Sequence, residues 1–419
     1  MSALRFCMVT TFYPPHNFGG DGIAVQRLAR ALVRQGHEVT VVSNSDAFGA
    51  LNGTTGTIDA DGDDGVRVHR MATPVPSLST LLTQQTGRPL TTMRAIRRIL
   101  SPGRFDVINY HNVSLVGGPA VLGVGDGIKL YTAHEHWLVC PTHVLWRHKR
   151  EPCQARECFR CQLAYRRPPQ LWRYTGFLER QLAHVDTFIA CSEFSRAKHR
   201  EMGFPRDMTV VPPVLDDAPF SAFEMGSPHA RPYFLFVGRL ERLKGLDDVL
   251  PVLRDYPDAD LVVLGDGEHR AALERIAAGS PRIRFAGRVP TQDLGRYYAH
   301  ALAVVVPSVG YETFGFVALE AMRQGIPVIA RRRGPLVEIV ESSDAGVLFD
   351  TPEELLPALR RVQRDDAWRS TLGRAARAAF VERWSERVVL PRYLTVVEQA
   401  ARHRGAHRVL EALAPERAA

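Results

Sequence analysis

Short apolar runs alternate with longer amphipathic stretches along the chain, and they fall into two sets. The first set lies at 6–9, 39–43, 66–69, 106–110, 128–132 and 187–191, the second at 233–237, 260–264, 283–286, 303–307 and 327–330. Runs this short, rich in Val, Ile and Leu, read as buried strands rather than helices. Between them the pattern changes period. From Gly22 to Arg34, apolar residues recur at Ile23, Val25, Leu28, Ala31 and Leu32, close to a 3.6-residue repeat. Strands alternating with helices predict parallel sheets covered on both faces. Two such sets in 419 residues predict an α/β protein of two Rossmann-like, doubly wound domains. The segment 212–232, crowded with Pro, Asp, Ser and Gly, reads as the linker between them. Ligands of open α/β sheets bind beyond the carboxyl ends of the strands, so chemistry is expected in a cleft where the two domains face one another.

Composition narrows the classes. Hydrophobic residues are 45% and charged residues 23% of the chain, as in a soluble globular protein. No apolar run reaches the roughly 18–20 residues of a membrane span. The opening MSALRFCMVTTFYPP runs straight into Pro, with no cleavage-site pattern, and reads as a first strand; a cytoplasmic location is expected. The formal net charge of +8 suits anionic partners of several kinds. The basic residues are scattered and no zinc-finger, RRM or helix-turn-helix pattern occurs, so nucleic acid is not expected. One basic and apolar stretch, PLTTMRAIRRILSPGR at 89–104, has roughly helical spacing and reads as a surface helix or as a peripheral contact with an anionic membrane.

The densest chemistry lies at 307–341, PSVGYETFGFVALEAMRQGIPVIARRRGPLVEIVE. A strand ends near Pro307, a polar loop follows, and a helix is predicted from about Phe316. Glu312 in the loop and Glu320 in the helix are separated by seven residues. A helix start offers unpaired N–H groups and a positive dipole end, which suit a diphosphate. Upstream, VGRLERLKGLDDVL at 237–250 delivers Gly238 and Arg239 to a strand end, with Lys244 following at a helix start. Two cations there can hold a diphosphate leaving group without a catalytic metal. VVLGDGE places Gly265, Asp266 and Gly267 at another strand end, where a tight turn can approach a nucleotide base.

These motifs together resemble the retaining GT-B glycosyltransferase superfamily, in particular family four, whose signature is E-x7-E. The resemblance implies that Glu312 sits beside the donor sugar, that Glu320 binds the ribose, and that the backbone at Phe314 and Gly315 faces sugar and phosphates. It gives Arg239 and Lys244 the diphosphate. It implies a nucleotide-diphosphate sugar as donor, an acceptor that is not identified, and retention of configuration. A non-catalytic sugar-nucleotide binder and another GT-B enzyme, such as an epimerase, are the alternatives. The domains expected are 1–213 on the acceptor side, 230–384 for the nucleotide sugar, and closing helices 385–419 that cross back to the first domain. The pattern departs at ARRRGPLVEIV, where Arg333 precedes Gly334 in place of a second glycine.

The first half adds loops. FYPPHNFGGDG carries Gly19 and Gly20, paired glycines that permit positive φ and a close ligand approach. The resemblance puts this loop near the donor phosphates or a phosphorylated acceptor. No G-x-G-x-x-G is spelled, which argues against a dinucleotide cofactor. In YTAHEHWLVC, His134 follows a strand where the family places a histidine by the anomeric carbon, and Glu135 stands where an Asp is usual. His111 and Asn112, ending VINYHN, are further candidates. Cys140, Cys153, Cys158 and Cys161 form a Cys-rich insertion, 140–161, spaced C-x12-C-x4-C-x2-C. Structural zinc is the first reading, iron–sulfur a second, with free thiols or disulfides still open. DADGDDG at 59–65 reads as a solvated turn, since it lacks the Gly and Glu of a calcium loop.

Overall fold

The computed structural model describes residues 3–52, 62–217 and 226–414. The chain divides into two compact units, one of Met1–His143, Ala155–Leu215 and Val389–Ala419, the other of Val144–Gln154 and Asp216–Val388.

The first unit is built on β1 (Arg5–Val9), β2 (Glu38–Asn44), β3 (Gly62–Asp63), β4 (Val66–Met71), β5 (Val107–Tyr110) and β6 (Ile128–Ala133). A small hairpin, β7 (Trp146–Arg147) and β8 (Glu151–Pro152), belongs to the second unit, and β9 (Thr187–Ala190) and β10 (Met208–Val210) complete the first sheet. Its order is β10-β9-β6-β5-β1-β2-β4-β3, parallel except for the antiparallel pair β3–β4. The strand order therefore reverses between β1 and β5. β1 is buried almost throughout because Phe6, Cys7, Met8 and Val9 meet covered faces on both sides. The helix Gly20–Arg34 presents Val25, Leu28, Ala29, Ala31 and Leu32 to that core. The helix Glu386–Arg404 adds Val389, Leu390, Tyr393, Val396 and Val397 to the same cluster, and Asn109 donates to the Tyr393 hydroxyl at 3.2 Å.

The second unit carries β11 (Tyr233–Val237), β12 (Asp260–Leu264), β13 (Ile283–Gly287), β14 (Val304–Val306), β15 (Val328–Arg331) and β16 (Gly346–Phe349). All are parallel, in the order β13-β12-β11-β14-β15-β16. That is the Rossmann order, with its switch point between β11 and β14. Both halves thus place a reversal where the sequence put its motif loops.

Two expectations need correction. Residues 59–61 lie outside the described residues, but Asp63 is no solvated turn residue. It accepts from Tyr13 Oη at 2.6 Å and Gln26 Nε2 at 2.9 Å, and pairs with Arg30. Nor does the Gly19–Gly20 pair supply positive φ. Gly19 is extended at φ 169°, and Gly20 opens the helix. The glycine that sterics demand is Gly22, where a Cβ would lie 2.4 Å from Asn17 Oδ1.

Candidate active site

The switch point of the second sheet brings the chain after β11 beside the chain after β14. Val309 and Gly310 both donate to Leu243 O, each at 2.9 Å, pinning the loop 307–312 to the turn Arg242–Lys244. Arg331, buried at the end of β15, donates from Nε to Pro307 O at 3.0 Å and pairs with Asp248 at 2.5 Å. Held this way, Lys244 Nζ lies 2.6 Å from Glu312 Oε1, and Ser308 Oγ donates to the same oxygen at 2.7 Å. Lys244 and Glu312 are each about a fifth exposed, at 21% and 22%, so the pair is neither sealed nor fully solvated. Burial pushes the Glu312 carboxyl up, but the Lys244 charge and hydrogen bond, Ser308 and the Arg239 charge together hold it below its ordinary value. It is therefore an acceptor-only carboxylate at neutral pH. Arg239 lies at the end of β11 and pairs with Glu241 at 2.7 Å, its side chain largely exposed.

Gly245 is what permits the approach. It takes φ 74°, and a Cβ there would stand 2.1 Å from Pro307 O. Sequence reasoning passed it over, since only the tertiary contact gives it meaning. Gly245→Ala is expected to cost at least about 2 kcal/mol, from left-handed strain plus a backbone clash. A melting temperature unchanged from wild type would contradict that close packing. Gly265 has a similar role, with φ 133° and a virtual Cβ 1.9 Å from Gly238 O. Gly265 lets the ends of β11 and β12 pass closely, a steric reason independent of any nucleotide.

The helix Phe316–Arg323 begins at Gly315, φ 107°, with no side-chain cap on its first turn. Gly315 packs under Leu336 and Ile339 of the helix Pro335–Ser343. Phe314 is buried and meets Phe316 edge-on. Glu320 is the fifth residue of this helix, little more than one turn in, and accepts from Tyr298 Oη at 3.0 Å. Arg239, Lys244, Glu312, Glu320, Gly238, Gly265, Phe314 and Gly315 thus share the second unit.

Gly19, Gly20 and His134 belong to the first unit, around its own reversal between β1 and β5. His134 follows β6, and its Nε2 lies 2.9 Å from His111 Nδ1, the rings stacked at 5.1 Å. Its other nitrogen lies 3.6 Å from Cys191 Sγ. Glu135 turns elsewhere and meets His143 Nδ1 at 2.5 Å. His111, and not Glu135, therefore orients the His134 ring. Burial pushes His134 down to about 4 against the pull of Asp21, and burial with the His134 neighbour lowers His111 as well. Both rings are neutral at physiological pH. Asn112 donates to Asp21 Oδ2 at 3.1 Å, tying the end of β5 to the first turn of the helix Gly20–Arg34.

No disulfide links the cysteines among the described residues. Cys140, Cys158 and Cys161 fall in the first unit and Cys153 in the second. Burial raises Cys158, as do its neighbours Cys140 and Cys161. Among the described residues, no group of three or more His, Cys, Asp or Glu side chains is placed to hold a metal ion. Cys191 is pushed up to about 12 by burial and is no nucleophile.

Comparison with known proteins bears on the family and the fold. Residues 217–379 match glycosyl transferases group 1, and residues 18–218 match Glycosyltransferase Family 4. The chain is 34% identical over 157 residues to the sulfoquinovosyl transferase of Arabidopsis thaliana, covering 36% of this chain and 30% of that one. It is 35% identical over 187 residues to a D-inositol 3-phosphate glycosyltransferase of Corynebacterium kroppenstedtii, 41% of each. These two matches span less than half the length of either relative. A glycogen synthase of Mycobacterium tuberculosis is 29% identical over 407 residues, 89% of each chain. Among solved structures, sucrose-phosphate synthase of Thermosynechococcus elongatus superposes with TM-score 0.72 at 21% identity, over 98% of this chain and 100% of that one. Anabaena HepE in complex with UDP-glucose gives 0.65 at 18%, over 96% and 100%. The fold is GT-B.

Proposed function

We propose, for a chain that belongs to the glycosyl transferases of group 1 and family four, that it moves a sugar with retention from a nucleotide-diphosphate donor to an acceptor hydroxyl. The observation that carries the reading is the Lys244–Glu312–Ser308 cluster at the switch point of the second sheet, beside an uncapped helix start. A structure of the same fold, Anabaena HepE, holds UDP-glucose, which supports a donor of that class.

Lys244 carries three N–H bonds and spends one on Glu312, so the ammonium is aimed while others reach a diphosphate. Arg239 and the N–H groups after Gly315 add positive potential where the leaving group gains charge. Glu312, ionised, accepts from a donor-sugar hydroxyl, and Glu320 accepts from the ribose. His134, neutral and held by His111, keeps on the first unit the role that the family resemblance implies for it. The acceptor attacks from the face the diphosphate leaves and gives its proton to a leaving-group oxygen. The expected roles require no catalytic metal. The structural zinc expected of the Cys-rich insertion 140–161 finds no metal-holding group among the described residues, and metal analysis of the purified protein decides it.

Two experiments test the reading. NMR of slow donor hydrolysis is expected to show the donor's own anomeric configuration in the first sugar released; the opposite anomer would overturn retention. Glu320→Ala is expected to weaken donor binding about ten- to hundred-fold through lost hydrogen bonds to a charged acceptor. Unchanged affinity would remove Glu320 from the ribose. Peripheral contact of residues 89–104 with an anionic membrane is part of the same proposal, and no described helix is long and apolar enough to cross one.

A further inference from the structure

Two helices of the first unit are built inside out. The helix Pro76–Thr86 buries Ser79, Thr80 and Thr83 and leaves Leu78 and Leu81 about half exposed, at 52% and 47%. Its buried hydroxyls are satisfied locally, Thr80 and Thr83 donating to carbonyls one turn back and Ser79 bonding Thr91 at 2.7 Å. The helix Cys158–Ala164 buries Gln162, which donates to Cys158 O and accepts from Gln170 N, while Phe159 and Leu163 are exposed. A water-facing helix of a globular protein shows the opposite pattern. Leu171 and Tyr174, in the turn Leu171–Tyr174, are exposed as well.

The two regions are joined. Trp172 Nε1 donates to Gln84 O at 2.9 Å, Gln85 reaches Pro168 O, and the Arg88 guanidinium lies over the Phe177 ring at 4.5 Å. Their charge is one-sided. Residues 71–105 and 158–178 contain no Asp or Glu. Exposed arginines stand among the exposed apolar groups: Arg94, Arg97 and Arg98 on the helix Met93–Ile99, and Arg160, Arg166 and Arg167 in the second region. Beside the first region opens a cavity of about 440 Å³, with Arg88 and Arg97 on its wall and Met93, Leu100, Pro102 and Val124 lining it.

We propose that residues 76–104 and 158–174 form one docking face for an anionic phospholipid bilayer, with the leucines and aromatics entering the interface and the arginines meeting headgroup phosphates. This rests on the membrane contact assigned above to residues 89–104 and extends it to a second region. Apolar insertion and electrostatic attraction combine in such faces, and phosphates match arginine forks. A solvated basic surface would not carry leucines outward over buried hydroxyls. The cavity between Arg88 and Arg97 is of a size for one phospholipid headgroup.

The test is sedimentation of the full chain with vesicles of phosphatidylcholine alone or mixed with phosphatidylglycerol. Binding is expected only to the mixed vesicles, weakening steeply as salt rises. Arg94→Gln with Arg98→Gln should weaken it by about five-fold per arginine removed. Leu171→Ser with Tyr174→Ser, a change distant in sequence from 89–104, should weaken it comparably. If the arginine variant loses binding and Leu171→Ser/Tyr174→Ser does not, the helix alone binds and the two-region face is wrong. If wild type fails to bind mixed vesicles at low salt, both readings fall. Equal binding to neutral vesicles, or a stable dimer that hides Leu78 and Leu81, would also overturn it. Donor-induced thermal stabilisation should be the same in wild type and every variant, and its loss in a variant would place these residues in the fold or donor site instead.

Discussion

Lys244→Ala is expected to lower donor hydrolysis and transfer by about 10²–10³-fold, the effect of removing one preorganised donor to a developing negative charge. The protein should stay folded. The pair with Glu312 is partly solvated, so its loss costs about 1 kcal/mol, a shift of a few degrees in a unit of this size. The substitution acts twice on the site. It removes a cation aimed by Glu312 and Ser308, and it leaves Glu312 with only Ser308 and the more distant Arg239 against the burial that pushes its carboxyl up. Lys244→Arg should recover little, because a fork replaces a point charge in a turn pinned by Leu243 and Gly245. Full turnover by a folded Lys244→Ala protein would remove the diphosphate role from this residue.

Acidification from pH 6.5 to 4 is expected to weaken the first unit strongly. His199 is fully buried, donates from Nδ1 to Ser195 O, and is pushed down to about 4 by that burial. It stacks on His136 at 5.2 Å, which burial and the neighbouring His199 and Lys198 charges also lower well below the usual value. His111 and His134 form the second such pair. In the unfolded chain these rings take up protons near 6.5, while in the native state His199 and His134 resist until about 4 and burial holds His136 and His111 well below the usual value as well. The unfolded state therefore binds more protons across that window, and stability falls as pH falls through it, levelling off below the native value. For His199 alone the span corresponds to about 3 kcal/mol. Asp63 and Asp106, held below the ordinary carboxylate range by Arg30 and Arg5 despite burial, add a further loss at lower pH. Urea unfolding followed at pH 7 and pH 4.5 measures the change, and His199→Leu should flatten it. Equal midpoints at the two pH values would mean that these rings are hydrated.

Strands such as β1 and β11 were legible because buried parallel strands must be apolar on both faces, leaving an uninterrupted run. Met208–Val210 and Gly346–Phe349 were not, being edge strands of three and four residues in segments with little periodicity. The residues of the E-x7-E stretch and of the Arg239–Lys244 turn were visible one by one. Their meeting was not, because it depends on the strand order β12-β11-β14 and on Gly245, whose requirement appears only beside Pro307. His134 was legible as a loop residue after a strand, whereas its orientation by His111 rests on a contact 23 residues away in sequence. The helix Pro76–Thr86 defeats pattern reading altogether, since leucines at helical spacing imply a buried face and here they mark the exposed one.

The most direct test of a nucleotide-sugar site on the second unit is a thermal-shift screen of wild type and Lys244→Ala against a panel of nucleotide-diphosphate sugars. At least one donor should raise the melting temperature of wild type, and its effect should be lost or greatly reduced in Lys244→Ala. No stabilisation by any donor, or equal stabilisation of both proteins, would contradict the assignment of the Lys244–Glu312 cluster to the donor.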